Sequence, residues 1–156
     1  MVDDAENGEE AAMHRTQAIA ANNSVWELLD AESPDVTELL RRAYAASYHW
    51  ARAADRTAEN SARASWLLSR CHAVLGHGDL ALHHANECAA IVADAGLQDF
   101  DLGYAHEARA RALAALGRLD EAAVELAAAR SVEVADDDDR QIFESDLASP
   151  PWFGLT

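Results

Sequence analysis

Lysine is missing from this chain: all 12 basic residues are arginine, set against 28 Asp and Glu for a formal charge of −16. So little positive charge excludes sequence-independent nucleic-acid binding, which works by neutralising phosphates, and it opposes anionic membrane surfaces as well. Proline is confined to positions 34, 150 and 151, and aromatic residues make up only 6%. Val, Ile and Thr are scarce, which counts against a sheet. No apolar run approaches the roughly 20 residues that a membrane span needs. Met1–Glu10 carries five carboxylates, no basic residue and no apolar core, unlike a secretory leader. The expected location is therefore cytoplasmic. The two cysteines, Cys71 and Cys88, fit no Cys-x-x-Cys pattern and are expected to be small buried hydrophobes.

What is present is alanine in quantity and a phrase that occurs twice. Half of the 156 residues are apolar, enough for one domain with a real core, and Ala is the best helix former. Leu75-Gly76-His77-Gly78-Asp79-Leu80-Ala81 returns as Leu116-Gly117-Arg118-Leu119-Asp120-Glu121-Ala122, 41 residues later. A Leu-Gly turn between Ala-rich runs, used twice, predicts stacked helical hairpins.

Caps and breakers divide the chain into seven helices. The first is expected from about Glu9 to Asp30, with Asn22-Asn23-Ser24 as a bend or break. Ser33-Pro34-Asp35 starts the second, Ser as cap and Pro in the first turn. Thr57 or Asp55 caps the third, which stops at Gly76. The fourth spans about Gly78–Ala95, the fifth opens at Asp99 or Asp101, and the sixth covers Leu119 to about Val134. The Asp136–Asp139 run caps a short seventh helix. The expected fold is all-α: a short α-solenoid of three antiparallel helical hairpins plus a C-terminal capping helix. Residues 1–8 form an acidic flexible tail, 9–149 a single helical domain, and 150–156 a tail packing back on the last hairpin.

Gly117-Arg118-Leu119-Asp120-Glu121-Ala122-Ala123, with Leu126 and Ala129, resembles the second half of a tetratricopeptide repeat. Gly76, Ala81, Ala85 and Cys88 give a second, weaker copy. The period is longer than the family's roughly 34 residues, so the helices are longer; no Pro closes either copy, and the family's Trp–Leu-Gly–Tyr series is absent. The resemblance implies that the first helix of each hairpin faces a concave groove. On the third helix Arg63, Trp66 and Arg70 form one stripe. The 41-residue shift carries them onto Tyr104, Glu107 and Arg111 of the fifth. Arg and aromatic side chains suit carboxylate recognition and anchor contacts. Against this, Trp66 has a reading as core, and Glu107–Arg111 one as an ordinary i,i+4 pair.

His49 is placed at the border of the groove and is the best general base in the chain. Tyr44 and Tyr48 share a stripe and are expected in the core. Four histidines fall between positions 72 and 84. His83 with Glu87, and His84 with Cys88, have i,i+4 ligand spacing. Yet there is no His-Glu-x-x-His, and His83 and His84 point about 100° apart on a helix. No metal, cofactor or catalytic residue is assigned, and an enzymatic role is less expected than a binding one. The leading expectation is an interaction module holding a peptide or protein segment in its groove. The alternative is a small-molecule or metal-binding helical protein with a pocket between hairpins. Exposed ends of so short a stack, with Trp152-Phe153 as an anchor, also suit a homodimer.

Overall fold

The computed structural model describes residues 2–155, with side chains from Glu6 onward. Within these residues seven helices follow one another: α1 (Val2–Leu29), α2 (Val36–Trp50), α3 (Ala58–Val74), α4 (Gly78–Ala95), α5 (Asp99–Ala115), α6 (Leu119–Ser131) and α7 (Asp137–Ala148). Among the described residues there is no strand. Helix α1 begins at Val2, well before the expected start near Glu9, and it passes unbroken through Asn22-Asn23-Ser24. Ser24 Oγ donates to the Ala21 carbonyl at 2.8 Å, so its hydroxyl is satisfied inside the helix instead of competing with it. Helix α2 starts later than Ser33-Pro34 suggests. Its cap is Asp35, whose Oδ1 accepts from the Glu38 N–H at 2.9 Å. Thr57 caps α3 in a reciprocal box with Asn60, and Asp136 caps α7.

The repeated phrase builds the same turn twice. Gly76 and Gly117 both have φ +74°, a left-handed conformation that costs a side-chain-bearing residue. After Gly76, His77 N–H reaches the His72 carbonyl at 2.8 Å; after Gly117, Arg118 N–H reaches the Leu113 carbonyl at 2.9 Å. These 6→1 bonds satisfy carbonyls that the helix end leaves open.

Neighbouring helices pack on one another from α1 through α6, α3 also packs on α5, and α7 packs on α5. The shared core is built largely from small residues, among them Ala43, Ala46, Ala62, Ala85, Ala108 and Ala112, which let helix axes approach closely. Gly103 shows the same economy: a Cβ there would stand 2.8 Å from Phe143 of α7. Beyond α7, Leu155 packs against the cluster of Leu113, Ala114 and Ala122 on α5 and α6. Tyr44 and Tyr48 are not core residues; they are 43% and 52% exposed, because their face of α2 meets the histidines described below instead of an apolar neighbour. Among the described residues no helix is long and apolar enough to cross a membrane.

Candidate functional site

The two stripes paired by the 41-residue shift do face each other across α3 and α5. Trp66 and Tyr104 pack edge to face with centroids 4.9 Å apart. The Trp66 indole N–H donates to Glu107 Oε2 at 2.8 Å, and Arg111 Nε donates to Glu107 Oε1 at 2.6 Å. Arg70 adds a longer contact to the same oxygen, 3.4 Å. Glu107 and Arg111 are each only 1% exposed. Arg111 spends the rest of its guanidinium on the carbonyls of Asp146, Ser149 and Pro151, at 2.8–3.0 Å. It also lies 3.9 Å from the centre of the Trp152 ring. Burial lowers the Arg111 pKa, while Glu107 pulls it back up. These residues hold the fold together at the end of α7, and their charge is not offered to a ligand.

The other half of the predicted set opens onto a cleft. A cleft of about 600 Å³ is walled by Trp26, Trp50, Trp66, Phe100 and Tyr104, with Ala62, Cys88 and Ile142 completing its apolar lining and Asn22, Asn60, Arg63, Asp101 and Asp146 its polar one. Trp26 stacks on Trp66 at 5.7 Å. Arg63, at the exposed edge, makes a two-pronged pair with Asp101 at 2.8 and 3.0 Å. The Tyr104 hydroxyl donates to Asp146 Oδ2 at 2.5 Å; burial first, and that carboxylate second, push its pKa far up. Of the expected groove residues, then, Arg63, Trp66 and Tyr104 line the cleft, whereas Arg70, Glu107 and Arg111 do not.

His49 stands apart from it. Its Nδ1 lies 2.7 Å from His14 Nδ1 of α1, and burial, His14 and Arg52 lower its pKa. Cys88 lines the cleft and Cys71 is buried nearby in the core. Desolvation raises both thiols to about 12, so neither supplies a thiolate near neutrality.

The reading of the stripes missed Trp26, Trp50, Asp101 and Asp146. Trp26 and Trp50 read as parts of apolar helix faces, which they are, and no repeat links Asp146 of α7 to the two copies. A histidine cluster was also legible only in part. Tyr44 Oη stands 2.9 Å from His72 Nε2 and 3.3 Å from His84 Nε2. His72 is held neutral by burial, with His84 and His77 adding to the effect, and its pKa falls to about 4. Tyr44 is raised, by burial and then by Glu87. Separated by 28 and 40 residues from its two imidazoles, Tyr44 gives no local spacing signal. Comparison with family models, with curated proteins and with solved structures finds no match to this chain.

Proposed function

We propose that the chain is a binding module, a short stack of helical hairpins similar to tetratricopeptide repeats, whose cleft takes a segment of a partner protein. The observation that carries this reading is the cleft itself: about 600 Å³ of aromatic-walled space that the chain's own side chains leave unfilled. That volume lies within the range of specific binding sites, and Trp and Tyr are the side chains that dominate binding hot spots. The occupant has one bulky apolar side chain, seated among Trp26, Trp66 and Tyr104, with basic residues beside it. Charge supports the second feature. Arg63, Arg70 and Arg111 are all paired within the fold, so no free guanidinium is left at the cleft for a partner's carboxylate. Asp101 is taken up by Arg63, but Asp146, which accepts from the neutral Tyr104 hydroxyl, leaves a carboxylate at the cleft of a protein of charge −16, which attracts and orients a cationic segment.

The test uses tryptophan fluorescence, since three of the four tryptophans line the cleft. Short peptides carrying one Trp, Phe or Leu flanked by arginines are expected to change it saturably, and peptides with the anchor replaced by Ala are not. Ile142 is exposed at the cleft; Ile142→Arg should weaken binding more than about tenfold, or ~1.4 kcal/mol, with Tm unchanged. No saturable response from any such peptide, or equal binding by Ile142→Arg, defeats the reading. Saturation by small aromatic amines alone would favour a small-molecule site in the same cleft.

A further inference from the structure

The imidazole cluster of α3, α4 and the turn between them, joined by Tyr44 of α2, is separate from the cleft and carries its own chemistry. His84, buried on α4, has partners on both ring nitrogens: Nδ1 is 2.7 Å from Glu87 Oε2, and Nε2 is 3.3 Å from Tyr44 Oη. His83 next to it brings Nε2 to 3.4 Å from Glu87 Oε1. One ligand atom from each of His83, His84 and Glu87 lies within 4.8 Å of the other two. Adjacent positions on a helix diverge, but Glu87, three and four residues on, stands between the two rings and closes the angle. Zinc–nitrogen bonds of about 2.0–2.1 Å in a tetrahedral set place ligand atoms about 3.3 Å apart. Small side-chain rotations therefore complete three ligands, with water as the fourth. Imidazole and carboxylate donors together suit zinc, nickel or copper better than hard cations. We infer that His83, His84 and Glu87 form a binding site for a divalent transition-metal ion of the zinc type, and that Tyr44 is its positioning residue.

What sets this site apart from an ordinary surface His–Glu pair is the chain of groups behind it. Tyr44 Oη reaches His72 Nε2 at 2.9 Å, and His72 Nδ1 lies 3.3 Å from Nδ1 of the exposed His77. With neutral rings, every contact in this chain is satisfied in either of two directions. Without metal, His84 Nδ1–H donates to Glu87, Tyr44 O–H donates to His84 Nε2, His72 Nε2–H donates to Tyr44, and His77 Nδ1–H donates to His72. Metal on His84 Nδ1 replaces the bond to Glu87 and reverses the other three: His84 Nε2–H donates to Tyr44, Tyr44 to His72 Nε2, and His72 Nδ1–H to His77. The proton displaced from His84 Nδ1 is balanced by one taken up at His77 Nε2, so each ring stays neutral. Such outer partners fix a ligating imidazole's tautomer and orientation. The other imidazole pair, His14–His49 at 2.7 Å, belongs to no such group of three ligands among the described residues, and is an N–H···N bond.

The full chain, freed of metal with EDTA and dialysed, is titrated with zinc chloride by calorimetry. One site with micromolar or tighter Kd is expected. His83→Ala and Glu87→Gln, both at exposed positions, should each weaken it more than tenfold without lowering the metal-free Tm. Tyr44→Phe keeps all three ligands and should still weaken binding about 10–100-fold. Imidazole ¹⁵N spectra should show zinc moving the His84 proton from Nδ1 to Nε2 and the His72 proton from Nε2 to Nδ1. No binding up to about 100 μM zinc, or binding that survives His83→Ala and Glu87→Gln, overturns the site. Zinc binding with the His72 tautomer unmoved overturns the role given to Tyr44.

Discussion

Arg111 carries more of the structure than any other single side chain described above. It is fully buried, faces a buried carboxylate, and ties three backbone carbonyls at the end of α7 to α5. Removing one partner of a buried pair leaves the other charge without compensation, which costs about 3–5 kcal/mol. Arg111→Met should therefore lower unfolding free energy by roughly that amount, a large share of the ~5–15 kcal/mol that holds a domain folded. Arg111→Lys should fare little better, because an ammonium cannot reproduce the planar fork. Arg63→Met, which breaks an exposed pair of equally good geometry, should cost no more than about 1 kcal/mol. Urea unfolding of the three variants measures the contrast. Equal losses at positions 63 and 111 would mean that burial of Glu107 is not what makes its pair matter.

At the scale of elements, the turns between helices are where sequence and structure correspond most closely. The Leu-Gly phrase specifies a left-handed residue followed by a 6→1 bond, and both copies deliver it. A Cβ at Gly117 would touch nothing within 4 Å, so the cost of Gly117→Ala is conformational alone, about 1–2 kcal/mol. Gly8, in α1 and equally unobstructed, should respond with the opposite sign. There Ala removes backbone freedom from the unfolded chain and gains about 0.5–1 kcal/mol. Thermal unfolding should show Tm falling for the first variant and rising for the second. Such local signals made α4 and the caps at Thr57 and Asp136 legible. Interior polar residues were not legible in the same way. Asn22-Asn23-Ser24 suggest a break, but tertiary packing of α1 outweighs weak propensity. For the site, the repeat correctly aligned Trp66 with Glu107 but could not say whether that pair faces ligand or core. That depends on α7 and the following residues, which fold over Arg111 and have no counterpart in the repeat.

For the molecule as a whole, the acidic excess and the buried histidines act on stability in opposite senses as pH falls. Protonation of carboxylates relieves self-repulsion in a chain of charge −16. His72 works the other way. It is enclosed by Tyr44 of α2, His84 of α4 and His77 of the α3–α4 turn, and its pKa drops to about 4 in the folded chain, against about 6.5 when unfolded. Between those values the unfolded chain binds a proton that the folded chain refuses. Stability from this group is complete above about pH 6.5, and it is lost progressively as pH falls toward 4. His49, also lowered by burial, adds in the same direction. The two effects separate by salt, because at about 1 M the Debye length shrinks to about 3 Å and exposed charges no longer interact over distance. In high salt with EDTA present, the urea midpoint should therefore fall between pH 6.5 and 4. The fall should be clearly shallower in His72→Gln, which keeps a polar side chain at that position but cannot titrate. Parallel pH profiles for the two proteins would show that His72 accepts its proton as readily folded as unfolded, and that the enclosure by Tyr44, His77 and His84 does not exclude charge.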